Sequence, residues 1–239
     1  MLAKNVYKAF KLALSPLLTA HGYTRIKGEQ GWTKLTDNGH LFVWLQCNKW
    51  GWDEHWGSSF IMEFQLIDNP EHFLSMHGRR ERMGFFLEGH PEFEAMAHLN
   101  NTIIHQLPGT LRHMAVVEAL DNGEPFAMVG VIPTKEPAIY GFDLGLQYYS
   151  LKDVELWIAF FQQHLLRIIE IFEKDIKSEA GLARARYNKA IGQMQNSHSR
   201  DEKFSILEAY LADEQDAHYR QCMQNVIAFA KGEGAYRLS

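Results

Sequence analysis

The sequence predicts an α+β protein, with an antiparallel sheet of about five or six strands in residues 1–149 and a helical region over residues 150–239. Two observations carry this reading. Residues 40–48 and 58–67 alternate apolar side chains with the two-residue period of strands, and turn signals such as Asp37-Asn38-Gly39 bound them. From Ser150 onward the apolar residues recur at helical spacing instead, between capping residues.

The elements follow in order. Val6, Phe10, Ala13, Leu14, Leu17 and Leu18, with Lys4, Lys8 and Lys11 between them, predict an amphipathic helix over 3–20 that contains Pro16 and stops at His21-Gly22. Residues 23–26 and 31–36 read as strands. In 40–48, Leu41, Val43, Leu45 and Cys47 share one side, and Phe42 and Trp44 the other. In 58–67, Phe60, Met62, Phe64 and Leu66 share one side, and Ile61, Glu63 and Gln65 form a wet face. Asp68-Asn69-Pro70-Glu71 signals a helix start, so one or two short helices should fill 70–88, with Gly78-Arg-Arg-Glu-Arg82 inside them. Another helix should run from His90-Pro91 to about Gln106. Residues 112–120 and 125–132 read as a hairpin around Asp121-Asn122-Gly123-Glu124, and 140–149 as one more strand or an irregular strap. Ser150 and Asp153 form a capping box for a long helix over 151–177 that packs on the sheet and on the later helices. Further helices are expected over 181–195, from Ser199 to about Leu211, and from Asp213 and Asp216 to Ala230. The natural division is 1–149 as a sheet domain and 150–239 as a helical subdomain packed on it.

The run Leu14-Ser-Pro-Leu-Leu-Thr-Ala-His-Gly-Tyr23, followed by Trp32, resembles the opening of an uncharacterised bacterial family of small α+β proteins. In that family a helix leads through a Leu-Pro-x-Leu-x-x-x-Gly-Phe/Tyr turn into a sheet meander. The resemblance covers residues 1–100 at most. It implies a fold and brings no catalytic residues with it.

Bulk properties exclude several function classes. Two cysteines, Cys47 and Cys222, support neither a disulfide framework nor a thiolate metal site, and both are expected to be reduced core residues. Net charge is −5, unevenly spread: residues 1–36 carry six Lys/Arg and one Asp/Glu, and residues 37–150 carry six and fifteen. An acidic middle opposes nucleic-acid binding, which needs a positive face. No apolar run is long enough to cross a membrane, and the lysines spread through the N-terminus do not match a signal peptide. A cytoplasmic protein is expected.

The candidate chemistry centres on Lys49-Trp-Gly-Trp-Asp-Glu-His-Trp-Gly57, a loop longer than a plain hairpin needs. Trp50, Trp52 and Trp56 could stack on a base, sugar or peptide side chain, or plug the end of the sheet. Asp53 and His55 are the weak acid–base candidates, against the plainer reading of a solvated loop tip. Arg79, Arg80 and Arg82 could clamp a carboxylate or phosphate, although Glu81 beside them favours structural ion pairs. The twelve histidines show no metal-binding spacing; His98 and His105 lie two helical turns apart, roughly 10 Å. No cofactor-binding motif is present. The expected function is a non-catalytic binding module of the bacterial immunity or defence-accessory type, with a protein partner or a second copy held through the C-terminal helices. The alternatives are a hydrolase-like enzyme built on the tryptophan loop and a single-stranded nucleic-acid binder.

Overall fold

A computed structural model describes residues 3–49, 51–73, 79–111, 114 and 145–231. Apart from Met114, which is helical rather than extended, the expected hairpin at 112–132 lies outside the described residues, as do the segment 133–144, Trp50, His77 and Gly78. The chain is α+β. It divides into two compact units, residues 1–171 and 172–239, and the boundary falls inside the long helix that begins at Leu151.

The first unit opens with α1 (Ala3–Ala20), which runs through Pro16. Then come β1 (Thr24–Arg25), β2 (Gly31–Thr36), β3 (Gly39–Cys47) and β4 (Ser58–Ile67). A 3₁₀ turn at Pro70–His72 is capped by Asn69, whose side chain accepts from the Glu71 amide. β5 (Arg79–Arg82), α2 (Met83–Phe86), α3 (Pro91–His105), β6 (Leu146–Tyr148) and α4 (Leu151–Asp175) follow. The sheet is antiparallel, ordered β1-β2-β3-β4-β5, and β6 also pairs with β4, at its start.

Register separates the two faces. Leu41, Val43, Leu45 and Cys47 lie opposite Leu66, Phe64, Met62 and Phe60. This face carries the core. Phe10 of α1 meets Phe60 edge-on with centroids 4.9 Å apart, and Phe161 and Trp157 of α4 lie 6.2 and 5.8 Å from Phe60. α4 therefore covers the sheet with the turns that carry these residues, as its apolar face requires. Its start is the expected reciprocal cap: Asp153 Oδ2 accepts from the Ser150 amide at 2.7 Å, and the Asp153 amide donates to Ser150 Oγ at 3.4 Å.

The other face corrects two expectations. Residues 79–82 are a strand, not part of a helix: Arg82 pairs with Glu63 and Arg80 with Gln65. The β4 face holding Glu63 and Gln65 is also not wet, since these residues are 7% and 3% exposed. Arg80 donates to Glu63 Oε2 through Nε at 2.8 Å, and Arg82 Nε reaches Oε1 at 3.4 Å. Arg80 also lies over the Trp44 ring, 5.2 Å from its centroid, and Phe73 stacks on Phe42 at 4.5 Å. A buried carboxylate is stable only when paired and hydrogen-bonded, and β5 supplies the pairing.

In the second unit, α5 (Glu179–Asn196), α6 (Arg200–Asp213) and α7 (Ala217–Lys231) enclose Ala190, Leu207, Met223 and Ile227. Ser178, Ser199 and Asp216 cap the three helices through the amides of Gly181, Glu202 and Tyr219. Asp213 is the last residue of α6 and caps nothing that follows. Cys222 is half-buried on α7, which corrects its expected place in the core. Glu214, between α6 and α7, is 1% exposed and takes a two-pronged ion pair from Arg186, at 2.8 Å to each oxygen. That pairing, with the Asp216 amide as a further donor, holds its carboxyl down at about 2. Among the described residues, no helix is long and apolar enough to cross a membrane.

Candidate functional site: a cleft beside the tryptophan loop

The loop between β3 and β4 folds on itself because Asp53 starts a tight turn. Its Oδ1 accepts from the amides of His55 and Trp56, both at 2.8 Å, and its backbone pairs with Gly57 at 2.8 and 3.0 Å. A short side-chain acceptor two and three residues upstream of the donors is what makes Asp suit this position. Gly57 closes the turn at φ +65°, where a Cβ would lie 2.3 Å from the Tyr148 carbonyl oxygen. Only glycine allows β6 to approach here.

Three ties fix the loop to the rest of the unit. Trp52 Nε1 donates to the Tyr149 carbonyl at 2.9 Å, and its ring lies 5.3 Å from the Tyr149 ring. The Tyr149 hydroxyl donates to the Glu54 carbonyl at 3.2 Å. The Gly109 amide donates to the His55 carbonyl at 2.8 Å. Gly109 also lies against the Trp56 indole, so a Cβ there would sit 2.8 Å from Cδ2 and Cε2. Trp56 is thus braced by backbone while 43% exposed.

Beside the loop lies an open cleft of about 400 Å³. Its lining comes from four places in the chain: Asn48, Asp53 and Trp56 from the loop, Ser58 and Ser59 from β4, Ile104 and Leu107 at the end of α3, and Gln147 from β6. Gln147 is set by its neighbours on both sides. Its amide donates to Asn100 Oδ1 of α3 at 2.8 Å, and its carbonyl accepts from Trp157 Nε1 of α4 at 2.8 Å. The volume falls within the range of small-molecule sites, and the mixture of an apolar wall with a few polar groups is typical of them.

Behind Ser58, on the core side, are Tyr148, Cys47 and Tyr7. The Cys47 amide donates to Tyr7 Oη at 2.9 Å. Burial pushes the Tyr7 hydroxyl up to about 12 and the Cys47 thiol up to about 11, and it raises Tyr148 too. All three are uncharged at neutral pH, so Cys47 supplies no thiolate.

The sequence-predicted residues separate. Asp53 and Trp56 reach the cleft; Trp52 ties the loop down. His55 is partly exposed and its Nε2 sits 3.6 Å from Glu54 Oε1, away from the lining. Arg80 and Arg82 are held at Glu63, five strand positions along β4 from Ser58, and do not line the cleft. Arg79 is on the same strand. Among the described residues no group of three or more His, Cys, Asp or Glu could hold a metal. The sequence reading missed Asn48, Ser58, Ser59, Ile104, Leu107 and Gln147. The paired serines directly after Gly57 were the available signal, since small polar residues opening an otherwise apolar strand leave room beside it.

No family model matches the chain, and no curated protein or solved structure is similar to it.

Proposed function

We propose that the protein is a non-catalytic binding module and that its ligand enters the cleft beside the tryptophan loop. The lining of the cleft carries this reading. It combines a braced, half-exposed indole, an aliphatic wall and neutral polar side chains, and among its described residues there is no His, Lys, Arg or Cys. Acid–base hydrolysis needs a base within reach of a nucleophile or water and a partner to orient it. Asp53 spends one oxygen on the turn, and His55 is turned to Glu54. Recognition needs only shape and a few placed polar atoms, and these are present.

The test is chemical-shift mapping with a panel of fragments spanning neutral, cationic and anionic compounds at millimolar concentration. Saturable shifts at the Trp56 indole and at the Ser59 and Gln147 amides, abolished in Asn48→Trp, are the expected result. A panel in which no compound moves these signals overturns the cleft as a binding site. Turnover of a chromogenic ester or phosphate that disappears in His55→Ala would replace the binding reading with the hydrolase one.

A further inference from the structure

If the cleft is the binding site, its chemistry also selects the charge of the ligand. Asp53 is the one ionisable side chain among the described residues that line it. Its Oδ1 serves the loop amides, and its Oδ2 accepts no hydrogen bond from the described residues. Among the described lining residues, no cation offsets this carboxylate. The Trp56 indole stands in the same lining, with Gly109 packed against it. A carboxylate and an indole attract the same kind of group, a cation, and the stretch of sequence 37–150 to which both belong carries six Lys/Arg against fifteen Asp/Glu. Ile104 and Leu107, 5% and 3% exposed, provide an aliphatic wall suited to a methylene stem. An anion would meet an unshielded carboxylate. A neutral ligand would gain nothing from the Asp53 charge.

The geometry points to an alkylammonium ligand: a primary or methylated amine on an aliphatic stem, with its head at Asp53 and Trp56 and its stem along Ile104 and Leu107. A free aliphatic diamine and a lysine side chain share this chemistry.

Three probes with the same five-carbon stem isolate charge: 1,5-diaminopentane, 1,5-pentanediol and glutarate. Each is titrated into the whole protein and followed at the Trp56 indole and the Gln147 amide. The diamine is expected to saturate in the millimolar range, the diol to bind at least tenfold more weakly, and glutarate to produce no shift. Asp53→Asn keeps an Oδ1 for the turn, which unchanged His55 and Trp56 amide signals would verify, and it should reduce the diamine to the level of the diol. Nα-acetyl-lysine N-methylamide is the companion arm. If it binds more tightly than the diamine, the source is a polypeptide lysine; if more weakly, a free amine. Diol or glutarate binding as tightly as the diamine, or an Asp53→Asn variant that binds the diamine undiminished, overturns the cationic ligand and leaves the cleft reading intact. So does a cleft that responds to other fragments but to none of the three probes. A cleft silent to every compound removes both.

Discussion

Replacing Glu214 with Gln should loosen the second unit selectively, and only above acidic pH. The buried carboxylate accepts two bonds from Arg186 at 2.8 Å and one each from the amides of Gln215 and Asp216 at 2.9 Å. Its carboxyl falls from an ordinary 4.5 to about 2 on folding, led by the Arg186 pairing. At about 1.4 kcal/mol per pKa unit, that drop corresponds to at most about 3.4 kcal/mol of stability at neutral pH. Arg186 is 54% exposed, so solvent screening weakens the pair and about 2 kcal/mol is the working figure. A group whose pKa is depressed by folding stabilises fully above its unfolded value. That stability is lost as pH falls from about 4.5 through about 2. Native-state hydrogen exchange measures this directly. At pH 7 the Leu207 and Met223 amides should exchange about 30-fold faster in Glu214→Gln than in the parent protein, the ratio that 2 kcal/mol gives. The Val43 and Phe64 amides of the sheet should not change. The difference at Leu207 and Met223 should shrink steadily below pH 4.5. Equal protection in the two proteins at pH 7, or a difference at pH 2.5 as large as that at pH 7, would refute the assignment of Glu214 as the pin of this unit.

Two further outcomes follow from packing and burial. Gly57→Ala adds a methyl 2.3 Å from the Tyr148 carbonyl at φ +65° and should cost about 2–4 kcal/mol, lowering Tm by about 5–15 °C in a thermal scan; an unchanged Tm would mean that β6 is not seated on the loop. With its thiol pushed up to about 11, Cys47 has about one molecule in a thousand ionised at pH 8, so iodoacetamide should modify Cys222 first, and peptide mass spectrometry of the native and urea-unfolded protein decides it.

The strands that were legible from the sequence are the ones whose pattern is local. β3 and β4 alternate over nine and ten residues between turn signals, and their observed bounds lie within a residue of those expected. The Ser150–Asp153 cap was legible for the same reason, since both partners sit in one helical turn. Arg79–Arg82 gave no such signal. Arg-Arg-Glu-Arg has no apolar alternation, and it becomes a strand because the β4 edge offers backbone partners and Glu63 takes two guanidinium groups. The same distant residues account for the misread face of β4: Glu63 and Gln65 look like solvent residues until β5 and Trp44 cover them. The site divides similarly. The tryptophan loop could be singled out by composition, but the far wall of the cleft comes from the end of α3 and from β6, and no local rule connects residues 104, 107 and 147 to residue 53.

The hydrogen bond from Trp52 to Tyr149 spans 97 residues of chain, and the one from Tyr149 to Glu54 spans 95. Closing a loop of that length costs about 4 kcal/mol in chain entropy alone. Two hydrogen bonds of about 1 kcal/mol each do not meet that cost. Pairing of β6 with β4 and burial of Tyr148 and Trp157 supply the rest of the closure free energy, and the tryptophan loop rests on the junction they make. The cleft therefore depends on that junction and is expected to be lost whenever the junction opens. Its occupant, by binding only the closed chain, would hold residues 51–57 and 145–150 together as a molecular clasp and slow their separation.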